Sequence, residues 1–220
     1  MELVFIILEL IGTVAFSISG AVVGIRRNMD LFGVCILGLT TACGGGLVRD
    51  VLLGRLPPVM FCDSIYALTA LATAALVFLF FARHWQLSGP VTEKLLRLSD
   101  SLGLGIFTMA GMQAAVRAGY GDNFFFTVFL GTVTGVGGGL LRDVMAQSPP
   151  YIFVKHIYAC ASLLGAVLAY VLWRTAGENW AILAGCVSIL TIRLLAARYR
   201  WSLPRIRPPQ EEPAGSGQAH

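Results

Sequence analysis

The strongest constraint on the fold is a series of seven apolar stretches, each close to the length of a membrane-spanning helix. They lie at residues 3–25, 31–53, 64–82, 99–116, 123–146, 153–173 and 179–197. A helix needs about 20 apolar residues to cross the hydrocarbon core of a bilayer. Only 13% of the residues are charged, against about 25% in soluble domains. We therefore predict an all-α integral membrane protein with seven transmembrane helices.

The distribution of basic residues predicts the orientation of these helices. With a cytoplasmic C-terminus, the outside-facing connections hold three basic residues, Arg55, Arg117 and Arg174, whereas the inside-facing segments hold most of the others. Cytoplasmic loops carry an excess of Lys and Arg in membrane proteins. We expect a multi-pass protein of the cell inner (plasma) membrane with its N-terminus outside. Because the basic residues lie between apolar runs or near the C-terminus, no nucleic-acid partner is expected.

The chain contains an internal repeat at a spacing of about 92 residues. The motif GGGLVRDV at 44–51 recurs as GGGLLRDV at 137–144, and the Pro-Pro and Ile-Tyr-Ala segments that follow it also recur. We place repeat one at 3–83, repeat two at 99–173 and a seventh helix without a counterpart at 179–197. Because each repeat crosses the membrane three times, the second copy enters from the opposite face, which predicts two inverted repeats. Residues 1–200 then form a single transmembrane domain, and 201–220 are expected to be a disordered cytoplasmic tail.

A glycine triplet lies in the middle of the second and of the fifth predicted helix. The six positions are Gly44, Gly45, Gly46, Gly137, Gly138 and Gly139. Each interior glycine costs a helix about 1 kcal/mol relative to alanine, so a triplet is expected to weaken or kink it. Backbone freed in this way can line a water-filled cavity and face a cation, with Thr41 and Thr134 adding hydroxyl groups. Close packing of two helices is the alternative interpretation.

Four charged residues follow the triplets at membrane depth: Arg49, Asp50, Arg142 and Asp143. An ionisable group there costs at least ~2.5 to 3.5 kcal/mol on the insertion scale, so each needs a partner. Adjacent side chains on a helix point about 100° apart. We therefore predict pairing across the repeats, with Arg49 against Asp143 and Arg142 against Asp50. These pairs serve either gating or simply the joining of two helices.

Two further carboxylates, Glu9 and Asp100, occupy matching positions near the starts of the first and fourth predicted helices. They either attract cations into two opposite vestibules or complement the helix dipoles. The sequence contains no arrangement of nucleophile and base and no cluster of metal ligands that would indicate chemistry. We therefore predict a protein that is not an enzyme and that needs no metal or cofactor.

The doubled GGGxxRDV motif, followed by Pro-Pro in a chain of seven apolar segments, resembles the prokaryotic branch of the trimeric intracellular cation channel (TRIC) family, also labelled a glycine transporter family. The resemblance covers about residues 3–197. It implies a homotrimer in membrane lipid whose protomers each carry one pore, lined by the second and fifth helices and bent at the triplets. The ions conducted would be monovalent cations, K⁺ and Na⁺. Inverted repeats with broken helices are also typical of secondary transporters, so transport of glycine or another small amino acid is the alternative.

Overall fold

The computed structural model describes residues 2–84, 89–150, 157–199 and 201, and these residues contain eight α-helices. They are α1 (Glu2–Arg26), α2 (Leu31–Leu52), α3 (Val59–Cys62), α4 (Ser64–Arg83), α5 (Pro90–Ala115), α6 (Phe124–Met145), α7 (Ala159–Ala176) and α8 (Glu178–Tyr199). A π-helical turn, Val116–Tyr120, follows α5. Since α3 is a single turn, the fifth predicted span corresponds to α6. The predicted tail, apart from Trp201, lies outside the described residues.

Side-chain caps begin three of the long helices within one residue of the predicted position. The carboxylate of Asp30 accepts a hydrogen bond from the Gly33 amide at 2.7 Å. In the same way Asp63 begins α4 and Asn123 begins α6. A cap of this kind satisfies one of the backbone N–H groups that the first turn leaves without a partner. The short polar connections therefore determine where these apolar helices start.

Helix α5 differs from its prediction, because it begins at Pro90 rather than at residue 99. Proline is favoured in the first turn of a helix, where its missing N–H is not needed. The added turns are polar and carry an exposed ion pair between Glu93 and Arg97, 3.4 Å apart. Six helices among the described residues are long and apolar enough to cross a membrane, and α5 is not one of them. A count of seven crossings therefore stays a prediction.

Large apolar side chains cover the outside of the protein, whereas many polar ones are buried. On α4, Leu68 and Leu76 are 62% and 67% exposed, and on α8 Leu183 is 55% exposed. Thr13 and Ser17 of α1, by contrast, are almost completely buried. Soluble proteins rarely expose so much apolar surface. This distribution is that of a multi-pass membrane protein whose outer surface faces lipid.

The two repeats meet along four helices. Helix α1 packs on α2 and α4, and α5 packs on α6 and α7. The halves join where α2 packs on α6 and α1 packs on α5. Helix α8 packs against α7 and α5, both in the second half. The glycine triplets of α2 and α6 therefore lie where the two halves meet.

Candidate functional site

The glycine triplets form the crossing point of α2 and α6. A Cβ atom at Gly45 would overlap the carbonyl oxygen of Thr134, and one at Gly138 would overlap the carbonyl oxygen of Thr41. Thr41 precedes Gly45 in α2, and its carbonyl oxygen meets Gly138, which follows Thr134 in α6. The two helices therefore cross in antiparallel directions. The motifs that follow the triplets consequently lie on opposite sides of the crossing.

Neither triplet breaks its helix. Residues Leu31–Leu52 and Phe124–Met145 are uninterrupted α-helices, so neither helix frees backbone groups at its triplet. The physical reason is packing: glycine lets the two backbones touch, and this contact offsets the low helix propensity of the triplets. A bend within the unbroken helices stays a prediction.

The six glycines do not have the same surroundings. Gly44, Gly45, Gly137 and Gly138 are packed against the other helix, in agreement with the close-packing interpretation. A Cβ atom at Gly46 would instead lie 3.7 Å from its nearest neighbour, the guanidinium of Arg49. Gly46 lines a cavity of about 40 Å³. In the second half, the corresponding Gly139 faces the hydroxyl of Tyr158. The third glycine of each triplet therefore faces polar side chains.

Thr41 and Thr134 are fully buried beside the crossing. Each hydroxyl donates to a carbonyl of its own helix at 2.6 Å, that of Leu37 or Leu130. A hydroxyl used in this way is not available as a donor to a neighbouring group. Neither threonine is among the residues that line the cavity beside Gly46.

The first polar cluster, which we define as Glu9, Arg49, Asp50 and Tyr66, lies beside this cavity. Arg49 Nε is 2.9 Å from Asp50 Oδ1, and Arg49 Nη1 is 3.5 Å from Glu9 Oε1. The Tyr66 hydroxyl donates to Glu9 Oε2 at 2.9 Å. Asp50 also accepts a hydrogen bond from the Val59 amide, which begins α3. Helices α1, α2 and α4 each contribute to this cluster, and all of its members line the cavity.

The second polar cluster has the equivalent residues of the other half and one more arginine. We define it as Asp100, Arg142, Asp143, Tyr158 and Arg193. Arg142 is 2.7 Å from Asp100 and 2.8 Å from Asp143, and it also donates to Ser19 of α1. The Tyr158 hydroxyl donates to Asp100 at 3.4 Å. Every member is buried, with Asp100 and Arg142 at 0% exposure.

The predicted pairing of Arg49 with Asp143 and of Arg142 with Asp50 is wrong. Each arginine instead binds the aspartate that follows it and the carboxylate on the first helix of its own repeat. An arginine side chain is long and flexible, so its guanidinium reaches a neighbouring carboxylate despite the divergence of adjacent Cβ atoms on a helix. The two Arg-Asp pairs also lie on opposite sides of the antiparallel crossing, where each arginine meets the carboxylates of its own half.

The predicted positions of Glu9 and Asp100 also need correction. Both lie two or more turns inside their helices, α1 and α5, so neither complements a helix dipole, an effect confined to the first turn. The side chain of Glu9 is 25% exposed and borders the cavity. Asp100 is fully buried under two arginines and does not face a vestibule.

Two stacked aromatic rings lie beside the cavity and the crossing. Phe16 of α1 stacks on Phe107 of α5 with ring centroids 5.2 Å apart. Phe107 lines the cavity of the first cluster, and Phe16 lies within 3.4 Å of the Cβ position of Gly138 at the crossing. Phe107 therefore forms part of the cavity wall, and the ring stacked on it lies beside the crossing.

Three members of the clusters, Tyr66, Tyr158 and Arg193, were not predicted from the sequence. Tyr66 and Tyr158 belong to the repeated Ile-Tyr-Ala segment. Because this segment recurs together with the carboxylates Glu9 and Asp100, the repeat could have indicated both tyrosines. Arg193 has no repeat counterpart, but it is an arginine well inside the last apolar stretch, and such a residue needs a partner. Within the described ranges 2–84, 89–150, 157–199 and 201, no group of three or more His, Cys, Asp or Glu residues could hold a metal ion.

Comparison with known proteins identifies the family. A family model described as "Glycine transporter" matches residues 6–82 and 97–174. The chain belongs to the TRIC family, which also carries this label. A UPF0126 membrane protein of Deinococcus radiodurans is 38% identical over 92% of each chain. The UPF0126 inner membrane protein YadS of Escherichia coli is 35% identical and covers 90% of this chain and 93% of its own.

Solved structures of TRIC channels have the same fold. The TRIC orthologue from Rhodobacter sphaeroides superposes with a TM-score of 0.82 at 32% identity, over 90% of this chain and 99% of its own. A prokaryotic TRIC channel solved in 0.5 M KCl gives a TM-score of 0.84 at 30% identity, over 92% and 100%. The family predicted from the repeated motif is therefore confirmed. The two segments matched by the glycine transporter family model, 6–82 and 97–174, have bounds close to those of the two sequence repeats.

Proposed function

We propose that this TRIC family member is a monovalent cation channel that conducts K⁺ and Na⁺ through one pore in each protomer. The path follows the contact between α1, α2, α5 and α6. It enters at the first cluster beside Gly46, passes the crossing of α2 and α6, and leaves by the second cluster beside Gly139. The observation that carries this proposal is the excess negative charge of the first cluster, at membrane depth and next to a cavity.

Charge in the first cluster favours cations over anions. Glu9 and Asp50 carry two negative charges, and Arg49 supplies one positive charge. Rings or clusters of carboxylates are a common basis for cation selectivity in pores. A cavity of about 40 Å³ has room for about three or four water-sized occupants at roughly 10–15 Å³ each. A partly hydrated monovalent cation fits this space and this charge.

The relatives support a channel more than a transporter. The solved neighbours, 30–32% identical to this chain, are named as TRIC cation channels, whereas glycine transport rests on the label of a family model. Transporters of zwitterions commonly direct the N-terminus of a broken helix at the substrate carboxylate. Helices α2 and α6 are unbroken, which disfavours such a site.

Opening of the path requires movement at its centre. We propose that α2 and α6 bend at the triplets, which moves the stacked rings of Phe16 and Phe107 out of the way. The third glycines, Gly46 and Gly139, then line the path without a side chain. In this proposal the charged residues of both clusters act in gating or conduction, and Thr41 and Thr134 line the open path.

Assembly and orientation complete the proposal. We propose a homotrimer in membrane lipid, because the TRIC relatives are named as trimeric. The name of the Escherichia coli relative supports the inner membrane, and the basic residues support an outside N-terminus and a cytoplasmic C-terminus. Residues 1–200 act as a single transmembrane domain built from two inverted repeats and the final helix.

Recording from purified protein in a planar bilayer tests the function. We expect unitary currents that reverse near the K⁺ equilibrium potential in a KCl gradient. Saturable glycine uptake into liposomes without such currents would overturn the proposal. A unit charge about 4 Å from an ion contributes ~1 kcal/mol in bulk water, so Glu9→Gln should lower K⁺ conductance about fivefold. Glu93→Gln, which removes a carboxylate from the polar start of α5, is the matched control and should conduct normally. Equal conductance of both variants would contradict the assigned path.

A further inference from the structure

Helix α8 inserts one side chain, Arg193, into the second cluster. Its Nη2 atom is 3.0 Å from Asp100 Oδ2, and its Nε donates to the Ser101 hydroxyl at 3.3 Å. Its guanidinium also lies over the ring of Tyr158, 4.6 Å from the centroid. Arg193 is 9% exposed. The side chain therefore contacts two members of the second cluster, Asp100 and Tyr158, and the neighbouring Ser101.

Among residues 2–84, 89–150, 157–199 and 201, no second arginine contacts the first cluster in the way that Arg193 contacts the second. The two halves otherwise match residue by residue: a carboxylate on the first helix, an Arg-Asp pair after the triplet, and a tyrosine that donates to the carboxylate. Two carboxylates and one arginine leave the first cluster with an excess negative charge. The second cluster would have the same excess, but Arg193 neutralises it.

We propose that Arg193 is a tethered cation that closes the second half of the ion path. Its guanidinium occupies the place beside Asp100 that a permeating cation takes beside Glu9. The inference rests on the proposed channel function and assigns its regulation to α8. When α8 moves away, Asp100 becomes available to K⁺ or Na⁺ and the second half acquires the charge of the first.

Asp100 is well suited to such an exchange, because it keeps other partners when Arg193 leaves. Arg142 Nη1 donates to Asp100 Oδ1 at 2.7 Å, and Tyr158 donates to the same oxygen. Arg193 instead binds the second oxygen, Oδ2. Removing one partner of a buried ion pair is costly when the other is left unpaired. Here Asp100 retains one charged partner, so its release from Arg193 costs less than exposure of an isolated charge.

The first test measures open probability in planar bilayers. Arg193→Met removes the charge and keeps a long flexible side chain, and Arg193→Lys restores the charge. We expect Arg193→Met to raise open probability about tenfold, equivalent to ~1.4 kcal/mol, and Arg193→Lys to return it toward the wild-type value. Arg198→Met, which removes an exposed arginine from the same helix, is the control and should behave as wild type. Arg193→Gln, which keeps hydrogen-bond donors without charge, replaces the methionine variant if that protein does not fold.

The second test measures water access to the second cluster without any need for current. Ser19 is fully buried and contacts Arg142. In a variant without the five native cysteines, Ser19→Cys should resist a water-soluble methanethiosulfonate reagent, and adding Arg193→Met should make it reactive. If no variant conducts but reactivity still increases, closure by Arg193 stands and the channel function fails. If Arg193→Met matches Arg198→Met in both open probability and reactivity, the tethered-cation proposal is overturned.

Discussion

The second and third glycines of the first triplet should respond in opposite ways to alanine. At Gly45 a Cβ atom overlaps the carbonyl oxygen of Thr134, and backbone cannot rotate away as a side chain can. At Gly46 the nearest atom lies 3.7 Å from the Cβ position, an ordinary van der Waals contact. The two substitutions add the same methyl group one residue apart, so Gly46→Ala is the matched control for Gly45→Ala.

The size of each effect follows from two opposing contributions. Alanine improves helix propensity by about 1 kcal/mol at either position. Overpacking costs about 1–3 kcal/mol or more, and only Gly45→Ala incurs it. For chains of this length, 1 kcal/mol shifts the unfolding temperature by about 2–4 °C. We expect Gly46→Ala to melt at the same temperature as wild type or a few degrees higher, and Gly45→Ala to melt several degrees lower.

Thermal unfolding in detergent, followed by size-exclusion chromatography of heated samples, measures the difference. Gly138→Ala should behave like Gly45→Ala, because it overlaps the carbonyl oxygen of Thr41 in the same way. Equal melting temperatures for Gly45→Ala and Gly46→Ala would refute the view that the crossing depends on direct backbone contact.

Two other predictions concern the buried charges and the cavity. Asp100→Asn leaves two buried arginines without their shared carboxylate, so we expect a loss of about 3–5 kcal/mol and a clear drop in the amount of folded protein. Asp122→Asn, which disrupts an exposed ion pair, is the control and should leave the melting temperature unchanged. An equal loss of stability in both variants would contradict the importance assigned to the second cluster. Cys43 lines the cavity of the first cluster. In a variant that keeps only this cysteine, a small cationic methanethiosulfonate should react faster than a neutral one of similar size. The reaction should also reduce the K⁺ current. Equal reaction rates for the two reagents would argue against an excess negative charge beside the cavity.

The limits of several helices could be predicted from the sequence because they depend on local patterns. Apolar runs and capping residues such as Asp30 and Asn123 lie next to one another in the chain, so the limits of α2 and α6 could be predicted to within one residue. The start of α5 could not be predicted in this way, because its first turns carry charged residues and lie before the apolar stretch at 99–116.

The partners of the charged residues could not be derived from local pattern. The symmetry of the repeats predicted that each arginine would pair with the aspartate of the other half. The actual partners depend on how far each arginine side chain extends and on how deep Glu9 and Asp100 lie in their helices. Arg193 was not predicted for a related reason. The candidate residues came from the repeated motif, and α8, which carries Arg193, lies outside the two repeats. The position of Arg193 inside an apolar stretch was a signal independent of the repeat.

The antiparallel crossing of the triplets has a consequence for how such a chain could arise. Gly45 requires the carbonyl of Thr134, and Gly138 requires that of Thr41, so each half supplies the surface that the other half's glycine needs. A half-length ancestor could have satisfied its own glycine only by dimerising with a second copy inserted upside down. Fusion of the two genes would have fixed that opposed pair in one polypeptide and freed one half to acquire a helix of its own.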